Sequence, residues 1–158
     1  MLDTAAAALA SIVQKAGDSK IRGFSTNISN YNPFETDSPE PFTEGSPSFD
    51  ESHYVQSLSS ALEAQGLPSR FIVDQSRVAV PGARTEWGDW CNIEAGFGQP
   101  PTTETSNANV DSIVWIKLGG ESDGECGMEG APAAGAWFDE YAKVLTTNAD
   151  AGIQSASA

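Results

Sequence analysis

The sequence predicts an α/β fold with a small parallel sheet, on three observations. Apolar runs at helical spacing alternate with short β-branched and aromatic runs, as in parallel strands joined through helices. Two long stretches rich in Gly, Pro, Ser, Thr and Asn interrupt the later runs. The chain has 158 residues, enough for one domain and little for two.

The elements follow in order. Leu9, Ile12, Val13 and Ala16 recur at helical spacing and Gly17 ends the run, which predicts a helix over 3–16. Ile21 to Ile28 alternates and predicts a strand. A loop with Pro33, Pro39, Pro41 and Pro47 runs from Tyr31 to near Phe49. Asp50 or Ser52 is placed to cap a second helix, with Tyr54, Val55, Leu58, Ala61 and Leu62 on one face and Gly66 beyond its end. His53 reads as a solvated residue of that helix. Phe71-Ile72-Val73 is a short buried strand, and Ser112 to Lys117 is another after a long irregular stretch. Pro132 is expected to start the last helix, with Trp137, Phe138, Tyr141, Val144 and Leu145 apolar. Trp115, in a strand, and Trp137, in a helix, are expected to pack in the core, and the tail after Asn148 to fray. Three strands cannot close a barrel and leave bare edges. Together with the long loops, this predicts part of a larger α/β protein.

Composition narrows the function classes. Eight Lys+Arg against 22 Asp+Glu give a formal net charge of −14. That balance repels phosphate backbones and anionic lipid surfaces, so neither nucleic acid nor membrane is an expected partner. No apolar run approaches the roughly 20 residues of a membrane-spanning helix. Met1-Leu2-Asp3-Thr4 followed by Ala5 to Ala8 lacks the cationic start and long apolar stretch of a secretory signal. Cys91 and Cys126 are 35 residues apart and fit a disulfide, two free thiols or half a metal site. With His53 the only histidine, a Cys/His zinc site is nearly excluded and a disulfide is favoured. No metal or other cofactor is expected.

In parallel α/β folds ligands bind beyond the carboxyl ends of the strands. The residues there are Asn27, Asn30, Tyr31 and Asn32 after the first strand, Asp74, Gln75 and Arg77 after the second, and Lys117, Glu121 and Asp123 after the third. No nucleophile elbow and no phosphate-binding loop occurs. Amides and carboxylates pair with sugar hydroxyls, which both donate and accept, and aromatic faces suit the flat side of a pyranose. Trp87 and Trp90 lie in the irregular stretch and read equally as sugar platforms or as plugs of a satellite core.

Several segments together resemble glycoside hydrolase family 6, the cellobiohydrolases and endoglucanases that cleave β-1,4-glucan with inversion. They are Arg22 to Asn32 (RGFSTNISNYN), Phe71 to Arg77 (FIVDQSR), Glu86 to Asn92 (EWGDWCN), Gly96-Phe97-Gly98, Trp115 to Gly124 (WIKLGGESDG) and Ala131 to Phe138 (APAAGAWF). The resemblance implies the C-terminal half of that catalytic domain over residues 1–150, with 151–158 as a frayed tail. The fold it implies is part of a distorted (β/α) barrel, with three to four parallel strands, flanking helices and long loops.

By resemblance, Asp123 is the catalytic base, with Arg77 and Lys117 as its charge partners. Two cations beside a carboxylate keep it ionised, which makes it a reluctant proton acceptor. Trp90, Lys117 and Glu121 resemble the residues that hold a glucose unit, and Asn30 a ligand of a neighbouring sugar. Cys91 and Cys126 match the family's C-terminal disulfide, and the family implies a secreted protein. Asn27-Ile28-Ser29 is a formal glycosylation sequon at a strand end, expected to be unmodified. The family's general acid lies in its N-terminal half, the partner the resemblance implies besides cellulose and cello-oligosaccharides. Departures from the family pattern are Val78-Ala79-Val80, Leu118 and a short loop from Asp123 to Cys126, which implies a more open cleft. Two alternatives accompany a glucan hydrolase: a non-catalytic glucan-binding remnant, and an incomplete fragment of poor stability alone.

Overall fold

The structure is a computed structural model that describes residues 1–17 and 20–154. The element order is α1 (Leu2–Lys15), β1 (Gly23–Thr26), a 3-10 turn (Pro41–Thr43), α2 (Glu51–Ala64), β2 (Arg70–Asp74), β3 (Val110–Val114), α3 (Asp139–Thr147) and α4 (Ala151–Gln154). Three parallel strands form one sheet in the order β1-β2-β3. Phe24 pairs with Phe71 and Val73 with Ile113, and the register shifts between Phe71 and Ile72.

Local chemistry accounts for the first two helices. α1 is Ala-rich, with Asp3 in its first turn and Lys15 in its last, both favourable to the helix dipole. Its buried face is Ala6 and Ala10, which lets α1 approach α2 closely, while Ile12 of the expected stripe stays exposed. Asp50 caps α2 by accepting the His53 N–H at 2.9 Å. His53 is accordingly not a freely solvated side chain: its Nδ1 lies 2.7 Å from Asp50 and its ring 4.1 Å from that of Phe49. Val55, Leu58 and Leu62 of α2 pack with Ala6, Phe71, Val73, Val110 and Ile113 into the main core.

The C-terminal elements depart from expectation for long-range reasons. β3 ends at Val114, short of Lys117, because the buried Asp74 carboxylate accepts the N–H groups of Ile116 (3.3 Å) and Lys117 (2.9 Å). The helix expected from Pro132 is α3, which starts at Asp139. Residues 132–138 instead lie along 120–122: Gly135 donates to the Ser122 carbonyl at 2.9 Å, Ser122 to Ala136 at 2.8 Å and Phe138 to Gly120 at 2.8 Å. Gly135, at φ 85°, supplies the left-handed turn that a helix forbids. Neither Trp115 nor Trp137 is a core residue, at 40% and 65% exposure. Trp115 stacks on Phe97 (5.8 Å between centroids) and donates to the Gln99 carbonyl, and Trp137 lies over Gly120. Part of the expected frayed tail forms α4, and residues 155–158 lie outside the described residues. Among the described residues no helix is long and apolar enough to cross a membrane.

Candidate functional site

The segments that follow the three strands converge on Asp123. Its side chain is 5% exposed, and every polar group around it donates. Arg77 forks onto the carboxylate, with Nη1 to Oδ2 at 3.2 Å and Nη2 to Oδ1 at 3.1 Å. Lys117 Nζ lies 3.6 Å from Oδ1. The Tyr31 hydroxyl donates to Oδ2 at 2.6 Å and the Asn92 backbone N–H at 3.0 Å. Burial pushes the Asp123 carboxyl up, but the Tyr31 hydroxyl, the Arg77 charge and the Asn92 N–H outweigh it and hold it below the usual carboxylate range.

Each donor is fixed by its own surroundings. Arg77 is buried between aromatic faces, its guanidinium 4.8 Å from the centroid of Tyr31 and 5.9 Å from that of Tyr141. Burial alone would lower its pKa, yet Tyr31, Tyr141 and Asp123 raise it. Lys117 is aimed by the capture of its backbone N–H on Asp74, and its Nζ also holds Glu121 at 2.6 Å. Asn92 sits at φ 48°, tolerable for asparagine in the left-handed region. Its Oδ1 accepts the Asp123 N–H at 2.9 Å, and its Nδ2 donates to the carbonyls of Gly124 and Cys126 at 2.9 and 2.8 Å. Cys91 and Cys126 form a disulfide with Cα atoms 5.9 Å apart, bracing the loop that carries Asp123.

The sequence-predicted residues fall into two groups. Arg77, Lys117, Glu121 and Asp123 form one connected ion network. Trp90 is 56% exposed and immediately precedes the disulfide-bonded Cys91, so its indole is open to solvent. Asn30 lies apart, lining a groove of about 1230 Å³ with Asn27, Asn32, Trp87 and the β1 residues. Trp87 is half exposed and meets Phe42 edge-on at 5.4 Å. Asn27 is buried, and its Nδ2, the glycan-acceptor atom of the sequon, donates to Asn32 and Asp74 carbonyls at 2.9 Å each.

Sequence reasoning assigned no role to three residues of the Asp123 network. Tyr31 was legible only as a strand-end residue, Asn92 only as a motif neighbour of Cys91, and Tyr141 only as an apolar helix position. Yet the Tyr31 and Tyr141 hydroxyls meet at 2.9 Å across 110 residues of sequence.

Comparison with known proteins places residues 1–149 in one family. The profile of Glycosyl hydrolases family 6 matches residues 1–149. A protein of Podospora anserina described as probable exoglucanase GH6D is 63% identical over 146 residues, covering 91% of this chain and 34% of that protein. Endoglucanase-6B of Humicola insolens is 63% identical over 150 residues, 94% of this chain and 43% of its own. The solved endoglucanase CEL6B from Humicola insolens superimposes with a TM-score of 0.92 at 62% identity, over 96% of this chain and 45% of that one. The CcCel6A catalytic domain complexed with p-nitrophenyl beta-D-cellotrioside gives 0.88 at 41% identity, over 94% and 46%. This chain therefore spans less than half the length of the relatives it matches.

Proposed function

The chain belongs to glycosyl hydrolase family 6, and we propose that it supplies the water-activating carboxylate and part of the glucan-binding wall of a β-1,4-glucan hydrolase acting with inversion. The observation that carries the reading is the Asp123 carboxylate, buried and held as an anion by Arg77, Lys117 and Tyr31. An inverting glycosidase needs one carboxyl group to protonate the leaving oxygen and another to activate water on the opposite face. Asp123 takes the second role, with Arg77 and Lys117 balancing its charge. Lys117 and Glu121 offer a donor and an acceptor to one glucose unit, Trp90 its ring face, and Asn30 a contact to a neighbouring sugar. The names of the relatives and the cellotrioside complex of a 41% identical catalytic domain support a cellulose-type ligand.

We assign the acid to the part of the family domain that these 158 residues do not include, so the chain alone is inactive. A cystine, which persists in oxidising compartments, and the cellulase relatives support a secreted protein. A second reading, a glucan-binding remnant, draws on the exposed indoles of Trp90 and Trp87.

The test joins the 158 residues to the N-terminal part of the Humicola insolens endoglucanase and measures soluble sugar released from amorphous cellulose. The fusion is expected to hydrolyse cellulose and Asp123→Ala to lose about 10²-fold or more, as for removal of a general base. The unfused chain is expected to release nothing above its own Asp123→Ala control. An active unfused chain, or a fusion indifferent to Asp123→Ala, overturns the assignment.

A further inference from the structure

Behind Asp123 the hydroxyls of Tyr31 and Tyr141 make a short row. Asp123 Oδ2, Tyr31 Oη, Tyr141 Oη and the Ile93 carbonyl oxygen are separated by three gaps of 2.6, 2.9 and 2.9 Å. A phenol carries one proton, while a carboxylate and a carbonyl carry none. With Asp123 ionised, two protons serve three gaps. With Asp123 protonated on Oδ2, three protons serve three gaps and every O–H points the same way, toward Ile93.

Oδ2 is the oxygen that can use this row. The groups facing Oδ1 are Arg77 Nη2 at 3.1 Å and Lys117 Nζ at 3.6 Å, which only donate. Oδ2 faces Arg77 Nη1 and the Asn92 N–H, also donors, and the Tyr31 hydroxyl, which can reverse. The remaining charged group nearby, Glu121, is held on Lys117. Tyr31 and Tyr141 are both buried, at 2% and 0% exposure, so no bulk water fills the missing hydrogen bond.

We propose that Tyr31 and Tyr141 are positioning residues that form a two-hydroxyl relay: they hold Asp123 as an anion, and they accommodate the proton it accepts by turning the Tyr31 hydroxyl from Asp123 onto Tyr141, whose own hydroxyl donates to the Ile93 carbonyl. The inference rests on Asp123 being the base. In that step one O–H bond of water breaks and its electron pair stays on the oxygen that attacks the sugar. A new O–H bond forms at Asp123 Oδ2. Neither tyrosine O–H bond breaks; the Tyr31 hydroxyl only rotates about its Cζ–O bond, and Tyr141 keeps its donation to Ile93. A carboxylate made reluctant by two cations thereby gains a place to keep its proton.

The two hydroxyls predict opposite effects. Tyr31→Phe removes a donor to the anion, so the Asp123 proton affinity rises, by about tenfold or one pH unit. Tyr141→Phe leaves that donor in place and removes the acceptor that Tyr31 needs once Asp123 is protonated, so the affinity falls. Both rings keep their faces on Arg77, so the packing is retained.

The experiment is a ¹³C NMR titration of the 158-residue chain labelled at the aspartate γ-carbons and the tyrosine ζ-carbons. The Asp123 midpoint is expected to move up in Tyr31→Phe and down in Tyr141→Phe. In the unsubstituted chain both tyrosine Cζ shifts are expected to change with the Asp123 midpoint, a readout that needs no variant to fold. Midpoints that move the same way or not at all, tyrosine signals that stay put while Asp123 titrates, or acid unfolding before Asp123 takes a proton would each overturn the relay. None of these readings depends on hydrolysis, so a relay that holds beside an Asp123-independent fusion would sink the base assignment alone.

Discussion

Asp123 and Glu51 are both buried carboxylates at the end of the sheet where the strands exit, at 5% side-chain and 1% residue exposure, and the protein treats them oppositely. Asp123 is held below the usual range although burial opposes it. Glu51 is pushed above it, first by burial, with the adjacent Asp50 adding to the effect. The difference lies in what faces the oxygens. Asp123 receives a forked guanidinium, a hydroxyl and a backbone N–H, with an ammonium close by. Glu51 receives the Asn32 amide at 2.9 Å, while Arg84 is spent on Asn32 Oδ1 and Glu40. Burial sets the cost of a charge, and the aimed donors decide whether the charge survives it.

The comparison breaks most directly at Arg77. Replacing it by Met removes two hydrogen bonds and a buried cation while leaving Asp123 in place, which makes Asp123 more like Glu51. Removing one partner of a buried pair costs about 3–5 kcal/mol, measured here by equilibrium urea unfolding. Arg77→Met/Asp123→Asn should be less destabilised than Arg77→Met, because the uncompensated charge is gone. A single-substitution loss under about 1 kcal/mol would show that Tyr31, Asn92 and Lys117 suffice to hold the anion.

The disulfide sharpens the contrast by region, since it braces the Asp123 loop and leaves the Glu51 helix untouched. Cys91→Ala/Cys126→Ala should cost about 4 kcal/mol, the scale for a loop of this length. The Asn92 side chain, hydrogen-bonded to the Gly124 and Cys126 carbonyls, should lose its order with the bridge. Amide exchange should then accelerate at Asn92 to Cys126 and hold steady in α2. Equal acceleration in both places would mean the bridge stabilises the whole chain, not this loop.

Much of the fold was legible because it is local. Helices α1 and α2 and the strand β2 follow from spacing, a capping Asp50 and a run of Phe71-Ile72-Val73. The last strand and helix were misplaced because their limits are set at a distance. Asp74 stops β3 by taking N–H groups 42 and 43 residues away, and 132–138, turning at Gly135, is pinned by backbone hydrogen bonds to 120–122. The site divides in the same way. Asp123, Arg77 and Lys117 stood in motifs that could be recognised. Tyr31 reaches Asp123 across 92 residues and Tyr141 across 110, and no periodicity announces a contact of that kind. Trp115 and Trp137 misled because apolar surface reads as core, whereas here Trp115 stacks on Phe97 and Trp137 covers Gly120, both with one side open to solvent.

Glu51 gives the smallest effect and the finest test, because the two carboxylates link stability to pH with opposite signs. Asp123 is depressed in the folded state. Its contribution is present above its unfolded value of about 3.9 and is lost as pH falls through the folded value. Glu51 is raised. Its contribution is present below its unfolded value of about 4.3 and is lost as pH rises through the folded value. Glu51→Gln keeps an oxygen to accept from Asn32 and removes the charge. It should therefore stabilise at pH 7, by on the order of 1 kcal/mol, with the gain vanishing toward pH 4, where Glu51 is already neutral. Thermal unfolding of the two proteins at both pH values measures this. A gain that persists at low pH would trace to packing, and a loss at pH 7 would mean that Arg84 supports the Glu51 charge more than its hydrogen bonds to Asn32 and Glu40 imply.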